Sequence, residues 1–319
     1  MNPATQISFA PFQGITGKVF RSIWTKQFSG VDEFYTPYFT SINHDSRLSP
    51  AKLAELKRIS ENNIKIVPQI LSKDADEIIR FASILKNLGF DELNWNLGCP
   101  FPQVATKKRG SGMLPYPDMI DDILQQVLPS IDIRFSVKCR LGYHSPDEFN
   151  ELISVFNRSN ISQLIIHPRI GRQLYKGKAD TDAFAAILPQ LNMPVVYNGD
   201  INTPGDFEQL QQSFPALNSW MIGRGLLANP FLAAQIKGFD LPSDRPKHIR
   251  SFVEDLYIAY RKHMNDQLSA IGYMKEYWHY LSQSFDNPHK VLKKIIKTRS
   301  FDEYESAVAD IFNEFEWQL

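Results

Sequence analysis

Side chains able to do chemistry recur in this chain directly after short apolar runs. Gln69 lies in "VPQI", and Asn96 and Cys99 follow in "NWNLGCP". Lys138 and Arg140 flank Cys139 in "VKCRL", and His167 and Arg169 sit in "IIHPR". "APFQG" carries Pro11, Phe12 and Gln13, "VVYNGD" carries Asn198, Gly199 and Asp200, and "MIGRG" carries Gly223 and Arg224. Glycines let backbone N–H groups approach a phosphate, and Arg224 adds a charge-assisted fork. Lys138, Gln69 and Asn198 offer hydrogen bonds to a flat polar ring. Singly, each residue has a simpler structural explanation. Gln69 caps a turn, Lys138 snorkels to the surface, His167 is a satisfied near-core histidine, and Asn-Gly-Asp is first of all a turn. Cys99 is either a small hydrophobe filling a corner or a thiol aimed into a site. Together, at matching places, they favour a site.

The apolar runs themselves read as strands: 6–10, 33–37, 64–70, 92–96, 134–139, 163–167, 194–198 and 219–223. Between them, apolar residues at helical spacing predict helices over 17–28, 74–88, 116–128, 146–158, 181–189, 203–213 and 226–236. Thr203 before Pro204 and Ser145 before Pro146 are start signals, and Gly89 is a stop. Strands alternating with helices predict parallel pairing with right-handed crossovers. Eight of them over about 230 residues favour an α/β fold, a closed (β/α)8 TIM barrel, over a doubly wound open sheet. In a barrel the chemistry sits at the C-terminal ends of the strands, where these polar residues gather, and the loops after the seventh and eighth strands commonly hold phosphate. A phosphorylated ligand is therefore expected in a barrel spanning 1–238. Sugar phosphates remain open at this point.

Residues 239–246 read as a linker rich in Pro and Asp. Beyond it, 247–319 has no strand pattern and reads as a small all-α domain, with helices near 247–266, 268–284, 288–298 and 301–315. Formal net charge is zero, so a nucleic-acid partner needs a local patch. Residues 245–300 carry 11 Lys and Arg against 5 Asp and Glu, while 301–319 carry none against 6. Lys290, Lys293, Lys294 and Lys297 are spaced to share one helical face. That face is either an RNA-binding surface or a solvated one balanced by the acidic tail. Hydrophobic residues, 43% of the chain, suffice for a large core. Two cysteines make no disulfide framework, and no Cys/His cluster has metal spacing, so no metal is expected. No signal-peptide or membrane-spanning pattern is present, and the expected setting is a cytoplasmic, monomeric protein.

Taken in order, "APFQG", "PQI", "NLGCP", "VKCRLGY", "IIHPRIGRQLYKGKAD", "NGDI" and "MIGRGLLANP" resemble the flavin-dependent tRNA-dihydrouridine synthases. The resemblance runs from about residue 9 to 232. The C-terminal region resembles that family's RNA-binding domain, and "YMKEYWHYLSQSF" is similar to its bacterial C-type branch. The resemblance implies FMN as bound cofactor, NADPH as reductant and tRNA as substrate, a uridine being reduced to 5,6-dihydrouridine. It implies that Pro11, Phe12 and Gln13 line the flavin and that Gln69 and Lys138 hydrogen-bond its ring. Asn198, Gly199, Asp200, Gly223 and Arg224 would hold the phosphate end. His167 and Arg169 match residues near flavin and substrate, and Asn96 and Arg140 belong to the same substrate-facing set.

Cys99 matches the family's proton donor. Hydride addition at carbon 6 of uracil leaves negative charge on carbon 5 and the adjacent carbonyl, so an acid on the opposite side must protonate carbon 5. The thiol must therefore stay protonated, despite the nearby cations Lys138 and Arg140. In this reading Gly98 permits the close turn, Pro100 fixes its exit, and Cys139 points away from the site. The chain departs from the pattern at Phe12, where methionine is common, and at Asn94, where an acid is frequent. Arg109 and Ser111 interrupt a run usually richer in Gly and Ala. Lys107, Lys108 and Arg109 offer contacts to RNA phosphates. Competing readings are a flavin barrel acting on a free pyrimidine or enone, and an RNA-binding barrel without chemistry.

Overall fold

A computed structural model describes residues 5–42, 48–56, 64–264 and 267–319. The strands are β1 (Gln6–Phe9), β2 (Glu33–Tyr35), β3 (Lys65–Val67), β4 (Gln69–Ile70), β5 (Glu92–Leu97), β6 (Arg134–Gly142), β7 (Gln163–Ile170), β8 (Val195–Tyr197) and β9 (Ser219–Ile222). All pair in parallel, in the order β3-β2-β1-β9-β8-β7-β6-β5-β4. The two ends of that order, β3 and β4, are pieces of one strand interrupted at Pro68, which has no N–H to donate. The sheet therefore closes, and the expected eight-stranded barrel is the fold.

The helices are α1 (Lys18–Gln27), α2 (Pro50–Glu55), α3 (Ala75–Asn87), α4 (Pro102–Ala105), α5 (Pro117–Val127), α6 (Phe149–Arg158), α7 (Thr181–Ile187), α8 (Pro204–Ser213), α9 (Arg224–Ala228) and α10 (Leu232–Lys237). Four more follow: α11 (Arg245–His263), α12 (Gln267–Leu281), α13 (Pro288–Ile296) and α14 (Phe301–Glu314). Side-chain caps start several of them. Asp74 accepts from Glu77 N–H at the head of α3, and Thr203 with Asp206 makes a reciprocal capping box on α8. The single helix expected over 226–236 is instead two, because Pro230 disfavours helical backbone at Asn229. The short helices α2 and α4 were not expected. α11 begins at Arg245 rather than 247, since Asp244 accepts from Lys247 N–H. Residues 265–266, the end of the helix expected over 247–266, lie outside the described residues.

Strand alternation sorts the core. Phe9, Phe34, Ile66, Trp95, Val137, Cys139, Ile166 and Trp220 face the helices and belong to the main apolar core. Ala10, Tyr35, Val67, Ile165, Val196 and Met221 form a second cluster inside the barrel. The main core continues into the C-terminal helices. Phe252 packs on Phe28 at 4.9 Å and on Phe20 at 6.1 Å. Tyr260 Oη donates to Ile15 O, and Ser284 Oγ to Ala228 O. The helical region is thus seated on α1 and on α9.

Candidate active site

One cavity opens at the C-terminal ends of the strands. Pro11, Phe12, Gln13, Gln69, Asn96, Cys99, Lys138, Arg140, His167, Asn198, Gly199, Asp200, Gly223 and Arg224 all line it. The barrel thus brings together residues spread over more than 200 positions of sequence. Alternation accounts for this: Lys138 and Arg140 of β6 point inward, and Cys139 between them is fully buried in the outer core.

Cys99 is buried but reaches the cavity wall. Asn96 Oδ1 accepts from the backbone N–H groups of Gly98 and Cys99, both at 2.9 Å, and so folds the turn. Gly98 is not what permits this turn, contrary to expectation. A Cβ there would meet nothing closer than 3.6 Å, and the turn is held instead by the two N–H bonds to Asn96 Oδ1. The demanding glycine is Gly110 (φ +55), whose added Cβ would lie 2.6 Å from Cys99 O. Burial pushes the thiol above its ordinary pKa. The Phe101 N–H, the Tyr38 hydroxyl, Arg140 and Lys138 oppose that shift without reversing it. The thiol therefore keeps its proton at neutral pH.

Lys138 lines the cavity, and its ammonium has no hydrogen bond or ion pair among the described residues. Burial, then the charge of Arg140, lowers it to about 8. His167 is pushed well below the usual histidine value, first by burial and then by Arg140, Lys138, Arg169 and Arg224. It is neutral, and its tautomer follows from geometry. Arg169 Nη1 lies 3.1 Å from His167 Nε2, and a guanidinium can only donate. Nε2 is the acceptor, so Nδ1 carries the hydrogen.

Asp200 is the hub of the cation cluster. Its carboxylate accepts from Arg169 Nη1 (2.8 Å) and Nη2 (2.6 Å), Arg224 Nη2 (2.8 Å) and Ala179 N–H (2.8 Å). It therefore fixes Arg224 at the cavity wall, an arrangement suited to an anionic ligand, whereas Arg169, expected at the site, is buried behind Asp200 and does not line the cavity. Gly223 packs against Phe12, whose ring would lie 2.9 Å from an added Cβ. Arg140 is spent mostly on backbone, donating to Gly98 O, Ile170 O and Leu174 O.

The dihydrouridine synthase family model matches residues 8–315. This chain belongs to that family. It is similar to a tRNA-dihydrouridine synthase B of Pasteurella multocida, 32% identical over 71% of this chain and 67% of the relative. The Escherichia coli K12 synthase B is 29% identical over 72% of this chain and 70% of its own. A tRNA-dihydrouridine(16) synthase of Neisseria meningitidis is 27% identical over 99% of this chain and 96% of its own. Morphinone reductase shares the fold, with TM-score 0.54 at 10% identity over 76% of this chain and 88% of that one. So does histamine dehydrogenase from Rhizobium sp. 4-9, with TM-score 0.54 at 11% identity over 80% and 49%.

In this family member the cavity also holds residues that sequence reasoning missed. Tyr38 lines it and interacts electrostatically with the Cys99 thiol, and Tyr175 lies over both Arg140 and Arg224, 5.3 Å from each guanidinium. Tyr175 stood in the quoted "QLYKGKAD", where its position in a shared motif was the available signal. Glu276 and Tyr280 come from α12 and line the cavity rim, with Tyr280 packed 5.5 Å from Phe12. No local pattern announces that a C-terminal helix reaches the barrel mouth.

The other basic residues lie outside the cavity. Lys107 and Lys108 are exposed, with Lys108 Nζ 4.0 Å from the Tyr116 ring, while Arg109 is half-buried. Lys290, Lys293, Lys294 and Lys297 do share one surface depression. Lys294, however, is ion-paired to Asp310 (3.5 Å) and Glu314 (3.0 Å) of the acidic last helix.

Proposed function

We propose that this chain reduces a uridine of tRNA to 5,6-dihydrouridine, with FMN in the barrel cavity, NADPH as reductant and Cys99 as the proton donor. The observation that carries this reading is a protonated thiol facing a cavity lined by Lys138, a cation with no partner among the described residues. The residues fit a flat anionic cofactor: Lys138 and Gln69 for the ring, His167 Nδ1–H as a neutral donor, and Arg224 with the glycine loops for the phosphate. When bound, a flavin supplies the hydride. The protein supplies the rest: Cys99 holds the proton for carbon 5, Tyr38 steadies the thiol, and the cavity rim from α12 shields the base once it leaves its stack.

Uridine 16 is the proposed target, since the relative named for that position matches through the C-terminal helices as well as the barrel. Mapping dihydrouridine in tRNA from a strain without this gene tests the reading. Loss confined to position 16 is expected, and an unchanged map in a strain with no other synthase would overturn it. A cytoplasmic monomer is the proposed working form.

Two consequences are measurable. Lys138 is charged below about pH 8 and neutral above it, so flavin affinity should begin to fall above that pH. Titration of the flavin-free protein from pH 7 to 9 checks this, and Lys138→Met should flatten the profile. For tRNA, Lys290, Lys293 and Lys297 are the proposed contacts, since Lys294 is already ion-paired to Glu314. Reversing those three charges should weaken tRNA binding on the order of 10-fold or more at moderate salt and reduce the salt slope, with flavin content unchanged.

A further inference from the structure

The barrel interior is apolar on one side and polar on the other. Between β4, β5 and β6 the inward residues are Gln69, Glu92, Asn94, Asn96 and Ser136, all buried, where barrels ordinarily place Val, Ile and Leu. They make one uninterrupted line of hydrogen bonds. At the barrel floor Lys65 Nζ and Ser136 Oγ donate to the Glu92 carboxylate at 2.5 and 2.8 Å. Asn94 Nδ2 donates to Ser136 Oγ at 3.0 Å, and Gln69 Nε2 to Asn94 Oδ1 at 2.7 Å. Asn96 Nδ2 donates to Gln69 Oε1 at 2.6 Å, and Asn96 Oδ1 holds the Gly98 and Cys99 N–H groups.

The polarity of this line has a single solution. Backbone N–H groups only donate, so Asn96 must turn Oδ1 to them and Nδ2 to Gln69. Gln69 must then accept through Oε1 and donate through Nε2. That leaves Asn94 accepting from Gln69 and donating to Ser136, whose own hydrogen goes to Glu92. Each amide orientation dictates the next, and a buried donor turned towards another donor is costly.

We infer that Asn94, Ser136 and Glu92, none of which lines the cavity, are positioning residues for the reaction. They set the amide orientations of Gln69 and Asn96, and through Asn96 the place of the Cys99 thiol. The inference rests on the role proposed above for Cys99. Removing the Ser136 hydroxyl leaves Asn94 Nδ2 without an acceptor. If that amide turns, it meets Gln69 Nε2 donor to donor, and the fault passes to the Cys99 turn, which cannot reverse.

Ser136→Ala should lower kcat on tRNA on the order of 100-fold, as a misplaced reacting group does, with KM for tRNA unchanged. Ser136→Thr should restore kcat, because it returns the hydroxyl. Asn94→Leu, which keeps the volume but removes both the acceptor for Gln69 and the donor to Ser136, should lose kcat in the same way. Wild-type kcat in both Ser136→Ala and Asn94→Leu overturns the inference, as does Ser136→Thr being as impaired as Ser136→Ala. Should Ser136→Ala fail to fold, Asn94→Leu decides by the same criterion. A second readout needs no flavin and no turnover: the rate of iodoacetamide alkylation of Cys99, Cys139 being fully buried. Different rates in wild type and the variants support the positioning line even if dihydrouridine is never formed, and identical rates reject it.

Discussion

Cys99→Ala is expected to fold, to keep its flavin and to be reduced by NADPH, yet to lose turnover of tRNA. A positioned general acid contributes about 10²–10⁴-fold, and the loss should fall in that range. Folding survives because Asn96 holds the backbone of residue 99, not its thiol, and the side chain removed is small. Stopped-flow reduction by NADPH, followed by single-turnover oxidation with unmodified tRNA, separates the two half-reactions. Full turnover in the variant would return Cys99 to the role of corner-filler. The wild-type pH profile offers an independent check. Burial raises the thiol above the ordinary cysteine value, so the acid stays protonated across neutral pH. The proton-transfer step should be flat there and fall only on the alkaline side of an unperturbed cysteine.

Asp200→Ala should cost stability as well as activity. Arg169 has a side chain only 2% exposed, and Asp200 is its counter-charge. Removing one partner of a buried pair leaves an uncompensated charge, at about 3–5 kcal/mol. Arg224 loses the same anchor and no longer holds a fixed place at the cavity. Urea unfolding of the flavin-free protein at pH 7 reads the first effect, and a loss below about 1 kcal/mol would reject it. Burial alone would raise the Asp200 pKa, but hydrogen bonds from Arg169 and Ala179 N–H, with the charges of Arg169 and Arg224, hold it below the usual carboxylate value. This contribution is therefore complete above the unfolded pKa, and it fades as pH falls through the lowered folded one. Wild type should lose stability in acid faster than Asp200→Ala, and the two curves should converge at low pH.

Much of the molecule was legible in order along the chain. Strand alternation in "RFSVKCR" is a local property, and it alone placed Lys138 and Arg140 inward and Cys139 outward. Local too were the glycine-rich turns after β8 and β9, the caps of α3 and α8, and the motif order that marked the family. The division of labour inside the barrel was not legible. Ser136 and Glu92 drew no notice in the sequence and Asn94 only as a departure from the family pattern, and only the register of β4, β5 and β6 joins them. Asp200 read as one more phosphate-end residue, until its oxygens were seen committed to two arginines. Lys294 looked like its neighbours until α14 folded back and paired with it. Periodicity and turn chemistry depend on residues a few positions apart, so sequence alone determined the barrel and its reactive end. Which charges are neutralised, which amides are locked and how the thiol is held depend on groups tens to hundreds of residues apart, and only the tertiary structure decided them.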